Sequence, residues 1–377
     1  MIYADHNATT RPLPEVVETI ARVQAEVWAN AGSVHGAGQR ARAEVEAARE
    51  AVALAIGATD PQQIVFTSGG TEAAVAAILG AVPHPAGQVV TTAVEHPCVR
   101  GAVDRLAARG ASVTVLAVDE LGRLDPEDVV RAVRSKETSL VTVQWANHET
   151  GNLHPIAAVA AACREHGVPL HVDAVQALGK VEIGVGGVDL LTVSAHKVHG
   201  PKGVGALWLR PDLPFEPLLP GPQERGRRGG TQDVAAIAGF GVAARALVRE
   251  GEERRGRLGR LGSRLEEGLV EAGALVNGDR DARVPGTVNV SFPGVPAELL
   301  VIALDLEGVA ISAGAACSSG RQGASPVIGA MFGDRPDRVA SAVRYSLGKD
   351  NADVEVDRIV EATRLCVGRL RGAGSKT

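Results

Sequence analysis

The sequence predicts an α/β protein: a large domain with a mainly parallel, seven-stranded sheet flanked by helices, and a smaller α+β domain. Three observations predict it. Short apolar runs alternate with helix-like segments from about residue 64 to residue 209. Those runs are continuously apolar, as in strands covered on both faces. The alternation then gives way, after about residue 232, to long Arg- and Glu-rich helical sequence and a second set of strands and helices.

The elements follow in order. Residues 15–28 read as a helix after Pro14, and 41–56 as a helix with Val45, Val52 and Ile56 on one face. Strands at 64–66, 88–92, 112–116, 140–143 and 170–172 alternate with helices at 71–79, 97–109, 125–134 and 155–166. Strands at 190–193 and 204–209 complete the seven. Residues 234–272 read as one or two long helices. A strand at 287–291, a helix at 297–306, a strand at 309–312, a helix near 326–332, a strand at 342–347 and a helix at 353–371 make the smaller region. The expected division is 12–245 for the large domain and 1–11 with 246–377 for the small one, with the boundary inside the long helix.

Composition excludes several functions. The net charge of −5 argues against a large basic footprint for nucleic acid or anionic lipid. Hydrophobic residues make up 45% and aromatic ones only 3%, so the core is expected to be aliphatic and stacking platforms for single strands are not expected. The four cysteines, Cys98, Cys163, Cys317 and Cys366, form no C-x-x-C pair; no metal site or disulfide framework is expected, and free thiols fit a reducing cytoplasm. No signal peptide is read at the N-terminus, and no apolar run reaches the ~20 residues that span a bilayer. Six lysines leave a short list for lysine-based covalent chemistry.

Four motifs stand at strand ends, where sheets of this kind bind ligands. Ser194-Ala195-His196-Lys197 follows strand 190–193, and the lysine sits beside groups that can bind an anion. Asp173, in His171-Val172-Asp173-Ala174-Val175-Gln176, ends strand 170–172. An acid there can cap a helix, bind a divalent cation or pair with a heterocyclic cation; a lysine and a carboxylate on two strand ends are what pyridoxal phosphate requires for its aldehyde and ring nitrogen. Thr67-Ser68-Gly69-Gly70-Thr71-Glu72 opens a helix with small residues that let backbone N–H groups close on a phosphate, without the spacing of a P-loop or dinucleotide fingerprint. His96, in Glu95-His96-Pro97, stands past a third strand and is a candidate for ring stacking and proton transfer.

These motifs, with Tyr3-Ala4-Asp5-His6-Asn7-Ala8-Thr9-Thr10, Asn147-His148-Glu149-Thr150-Gly151, Arg228-Gly229-Gly230-Thr231, Gly314-Ala315-Ala316-Cys317 and Val343-Arg344-Tyr345-Ser346-Leu347-Gly348, resemble in order and over the whole chain the NifS-like cysteine desulfurases, class V aminotransferases of fold type I. The resemblance implies a cytoplasmic, pyridoxal 5'-phosphate-dependent enzyme with the fold-type-I architecture, in which the larger domain binds the cofactor. It would take sulfur from L-cysteine, release L-alanine and hold a persulfide on Cys317 for an acceptor protein, a scaffold or carrier in iron–sulfur cluster assembly or other sulfur-product synthesis. Lys197 resembles the lysine that binds the cofactor aldehyde and moves the substrate's α-proton. Asp173 resembles the partner of the ring nitrogen, Gln176 the donor to the ring oxygen, and His96 the stacking acid/base. Gly70, Thr71, Ser194 and His196 resemble the phosphate cup. His148 stands beside the ring where the family usually has asparagine. Thr231 resembles a residue that reaches the phosphate of a neighbouring subunit, implying a homodimer. Arg344 and Asn7 resemble substrate-binding residues, with the arginine on the carboxylate. Cys98, Cys163 and Cys366 fall in expected helices and read as structural. Two other readings compete: a selenocysteine lyase or other β-eliminating class V enzyme, and a silent sulfur-transfer scaffold.

Overall fold

The computed structural model describes residues 1–82, 87–135, 137–314 and 325–374. Among them the chain runs β1 (Ile2–Tyr3), α1 (Pro14–Glu26), α2 (Gly36–Ala55), β2 (Ile64–Thr67), α3 (Gly70–Ala81), β3 (Gln88–Thr92), α4 (Pro97–Ala107), β4 (Ser112–Leu116), α5 (Pro126–Ser135), β5 (Thr138–Gln144), α6 (Ile156–Glu165), β6 (Leu170–Asp173), β7 (Leu190–Ser194) and β8 (Gly205–Leu209). Then come α7 (Val234–Glu271), β9 (Leu275–Asn277), β10 (Thr287–Ser291), α8 (Ala297–Leu306), β11 (Val309–Ala310), β12 (Ser312–Ala313), α9 (Pro326–Phe332), α10 (Pro336–Ala340), β13 (Ala342–Ser346) and α11 (Asp353–Gly374).

Seven strands form the main sheet in the order β2-β8-β7-β6-β5-β3-β4. From β7 to β4 every neighbour is parallel. β8 runs against both of its neighbours. The reason is the short link from β7, too brief for the crossover that parallel pairing needs. Period-two alternation sends Val65, Val89, Leu140, Leu190 and Leu207 to one face, against Ile78, Val99 and Leu106 of the helices. Phe66, Val90, Val141, Leu191 and Trp208 go to the other, against Val45, Val52, Val159 and Phe240. Each fully buried side chain of this size contributes about 1.5–3 kcal/mol through burial. With both faces covered, the free edge for chemistry is the one formed by the carboxyl ends of β2, β3, β5, β6 and β7.

A second core holds Leu258, Leu261, Leu265 and Leu269 of α7 with Val288, Leu300, Val343, Tyr345 and Ile359. Its antiparallel sheet has the order β12-β13-β10-β9. The N-terminus belongs beside it, because β1 pairs with β11 and Asp5 bridges to Ser346. The sequence left open one or two helices over 234–272; α7 is one helix of 38 residues, about 57 Å long. Its start packs in the first core through Ile237, Phe240 and Leu247 and its end in the second. The expected strand 309–312 is two, β11 on β1 and β12 on β13, because the chain changes partner at Ile311. β1, β9 and α10 were not foreseen; at two, three and five residues they are too short to carry a period. No helix among the described residues is long and apolar enough to cross a membrane.

Candidate functional site

A cavity of about 430 Å³ opens at the carboxyl edge of the main sheet. Gly70, Thr71, His96, His148, Asp173, Gln176, Ser194, His196 and Lys197 all line it, so the residues singled out at five strand ends converge.

One corner is built for an anion. Helix α3 starts at Gly70 and directs its first-turn N–H groups there. A Cβ on Gly70 would lie 2.9 Å from Val175 Cγ2 and 3.2 Å from Ser194 Cβ, so a larger residue would fill the corner. The Ser194 hydroxyl is buried and has no hydrogen-bond partner among the described residues. His196 contributes a ring whose Nδ1 is 3.2 Å from Thr9 Oγ1, and Lys202 also lines the cavity. The acid nearby is neutralised: Glu72 accepts the Ser68 N–H at 2.8 Å and pairs with Arg228 at 2.8 Å.

The opposite end holds the lysine and the carboxylate. Lys197 follows β7 in a short 3-10 turn, and its Nζ donates to the Asn7 carbonyl at 2.5 Å and the Ala8 carbonyl at 2.9 Å. Asp173 ends β6, the strand next to β7. Its Oδ1 accepts the Val175 N–H at 3.0 Å and lies 3.5 Å from the Thr192 hydroxyl. Burial pushes this carboxyl up to about 6, against the lowering effect of those bonds and of Lys197. Gln176 donates from Nε2 to the Asn7 carbonyl at 2.9 Å and accepts from Lys180 at 2.7 Å.

Two histidines form a wall. His96 caps α4, its Nδ1 accepting the Cys98 N–H at 3.2 Å and lying 2.9 Å from the Cys98 sulfur. Burial, then Lys197 and Arg100, brings His96 down to about 4, so it is neutral at pH 7. An Nδ1 that accepts leaves the proton on Nε2. His148 stands edge-on to His96, with ring centroids 5.2 Å apart, and burial depresses it well below the usual histidine range.

Arg344 and Asn7 sit behind the wall and do not line the cavity. Arg344 donates to Asp5 at 2.6 Å and to the His148 carbonyl at 2.7 Å, while its Nε is buried without a hydrogen-bond partner among the described residues. Thr231 is exposed in the loop before α7 and does not line this cavity. Cys317 lies outside the described residues. Its segment is bounded by Gly314 and Ser325, which meet: a Cβ on Gly314 would be 3.2 Å from Ser325 Cβ. Ser325 donates to Glu149 at 2.5 Å, next to His148.

Three residues that matter here are not placed in the site by the sequence. Cys98 was read as structural, yet it lines the cavity; as the second residue of α4 it belongs to the strand-end turn as much as to the helix. Burial pushes its thiol up to about 12, so it acts as a donor and not as a thiolate. Lys202, five residues past Lys197 in a glycine-rich turn, reads from the sequence as structural, and it too lines the cavity. Lys180 was not singled out, although its spacing of four from Gln176 was a usable signal.

The set fits pyridoxal phosphate. The orphaned Ser194 hydroxyl and the helix start at Gly70 suit a phosphate, Lys197 an aldehyde and Asp173 a protonated ring nitrogen. Comparison with known proteins agrees. The chain matches the aminotransferase class-V family over residues 2–359. A protein named cysteine desulfurase from Bradyrhizobium diazoefficiens is 43% identical over 383 residues, covering 100% of this chain and 97% of that one. A solved structure described as a NifS-like protein superposes with a TM-score of 0.90 at 32% identity, covering 98% of this chain and 99% of the other. Another, described as SspA in complex with cysteine, has a TM-score of 0.81 at 29% identity, covering 93% and 100%. The chain belongs to the aminotransferase class-V family and has the fold-type-I architecture.

Proposed function

We infer from this membership and this cavity that the chain is a pyridoxal phosphate-dependent cysteine desulfurase, taking sulfur from L-cysteine and releasing L-alanine. The observation that carries the reading is Lys197 and Asp173 on neighbouring strand ends, with the orphaned Ser194 hydroxyl and the α3 N-terminus in the same cavity. When bound, the cofactor supplies an electron sink that acidifies the α-hydrogen of an amino acid.

The chain's own residues do the rest. Lys197 Nζ would hold the cofactor aldehyde, and its amine is the base placed to move the substrate α-proton. Asp173 would hold a proton on the ring nitrogen, and that cation would offset the burial that raises its own pKa. Gln176 would donate to the ring oxygen, and the neutral His96, with His148 beside it, would cover the ring. Gly70, Thr71, Ser194 and His196 hold the phosphate. Arg344 binds the substrate carboxylate by exchanging Asp5 for it. Asn7 supports Lys197 through its carbonyl.

Cys317 is the nucleophile in this reading. It lies three positions after Gly314, and three residues of chain span at most about 10 Å; Gly314 meets Ser325 beside Glu149 and His148. Its thiolate takes the substrate sulfur as a persulfide, which passes to an acceptor protein. The exposed Thr231 supports a homodimer in which this residue reaches the partner's phosphate corner. We assign residues 12–245 to a cofactor domain and residues 1–11 and 246–377 to a small domain, and place the protein in the cytoplasm.

One experiment tests the assignment. The protein loaded with pyridoxal phosphate is given L-cysteine, and alanine and sulfide are measured with wild type and Cys317→Ser. Alanine from wild type and not from the variant is expected. Equal turnover in both would sink the persulfide step and favour a β-eliminating enzyme; no product from either would favour a silent scaffold.

A further inference from the structure

Lys180 is only 7% exposed and does not line the cavity. Its Nζ donates to Gln176 Oε1 at 2.7 Å and to Asn7 Oδ1 at 2.5 Å. Both acceptors are neutral amide oxygens. Nζ carries hydrogens for both, and backbone carbonyls, which only accept, fix which end of each amide is oxygen. Gln176 is fixed because its Nε2 donates to the Asn7 carbonyl at 2.9 Å. Asn7 is fixed likewise, its Nδ2 donating to the His148 carbonyl at 3.5 Å. What Gln176 can offer the cavity is therefore N–H. The Asn7 carbonyl that Gln176 reaches also takes the Lys197 amine, at 2.5 Å.

We propose that Lys180 is a positioning residue for the cofactor: by holding the oxygens of Gln176 and Asn7, it presents the Gln176 N–H to the ring oxygen of pyridoxal phosphate and the Asn7 carbonyl to Lys197. This rests on the cofactor reading above. The charges that act on Lys180 are Lys197, Arg344 and Arg254, all cations, and burial together with them depresses it well below the usual lysine range. Placing an amine there is costly, and methionine would fill the same space without that cost. What methionine lacks is the pair of donated hydrogens.

Lys180→Met and Lys180→Gln in the full chain test this. Two quantities are read: the dissociation constant of pyridoxal phosphate, and the pH midpoint of the visible band of the cofactor bound at Lys197. Loss of the donors in Lys180→Met should weaken cofactor binding by about tenfold. It should also move the midpoint upward, because the donors that keep the Gln176 N–H on the ring oxygen, and so oppose protonation, are gone. Lys180→Gln keeps an N–H2 that can serve one oxygen and should recover part of both changes; it carries the test if the methionine variant does not fold. A purely structural lysine would lower Tm and leave the midpoint where it was. Wild-type midpoint and dissociation constant in both variants overturn the proposal. A wild-type chain with no visible band removes the cofactor reading itself, and this proposal with it.

Discussion

Two buried carboxylates in the large lobe start from the same position and end differently. Glu224, in the loop before α7, accepts the Phe66 N–H of β2 at 3.0 Å; Asp173, at the end of β6, accepts the Val175 N–H at 3.0 Å. Glu224 also meets the buried Arg49 guanidinium at 2.7 Å, while Arg49 donates to the Ile64 carbonyl and lies over the Phe66 ring. That network ties α2, β2 and the loop together and holds Glu224 and Arg225 at positive φ. Asp173 has a hydroxyl at 3.5 Å, faces the cavity and has its carboxyl raised to about 6 by burial. A buried charge with its counter-ion built into the chain is a structural tie. A buried acid turned toward a cavity stores unfavourable energy that a cationic ligand relieves.

Breaking the tie should have the largest effect on stability. Arg49→Met strands the Glu224 carboxylate and should lower unfolding free energy by about 3–5 kcal/mol. Denaturant unfolding measures it, and a change below about 1 kcal/mol would show that the loop rearranges to solvate Glu224.

Asp173→Asn should do the reverse. A carboxyl whose pKa rises from 3.8 to about 6 on folding favours the fold at low pH and loses that contribution as pH rises through 6. At pH 7 the cofactor-free protein thus bears a penalty of about 2–3 kcal/mol, which asparagine removes. The variant should be more stable than the parent at pH 7 and about equal to it near pH 4. Its alanine production should fall about a hundredfold, because the ring nitrogen loses its partner. Equal stability shifts at both pH values would remove the electrostatic account.

These effects bear on what could be read from the sequence. Lys197, Asp173, His96 and Gly70 were legible because each follows an apolar strand, and strands of one parallel sheet end on one edge. The main sheet was legible through its continuous apolar runs. Lys180 was legible only through its spacing of four from Gln176; Asn7, which gives its amine the second acceptor, comes from the N-terminal segment, and no local pattern couples residues 7 and 180. The Arg344–Asp5 pair is hidden for the same reason. Glu224 was also missed: a glutamate in a Gly- and Arg-rich loop reads as solvated until the fold brings Arg49 to it.

The smallest effect probes the anion corner. Gly70 and Gly36 each open a helix, yet a Cβ on Gly36 meets nothing within 4 Å, whereas one on Gly70 would press on Val175 and Ser194. Gly36→Ala should leave stability and cofactor binding unchanged. In Gly70→Ala the displaced Val175 and Ser194 move the groups on either side of the phosphate, and binding of pyridoxal phosphate should weaken by about tenfold. Pyridoxal, which lacks the phosphate, supplies the internal control: its affinity should be the same in Gly70→Ala and the parent. A parallel loss for both compounds would mean that the methyl group disturbs the Val175 turn that carries Asp173 and Gln176, so that the two ends of the cavity are mechanically one.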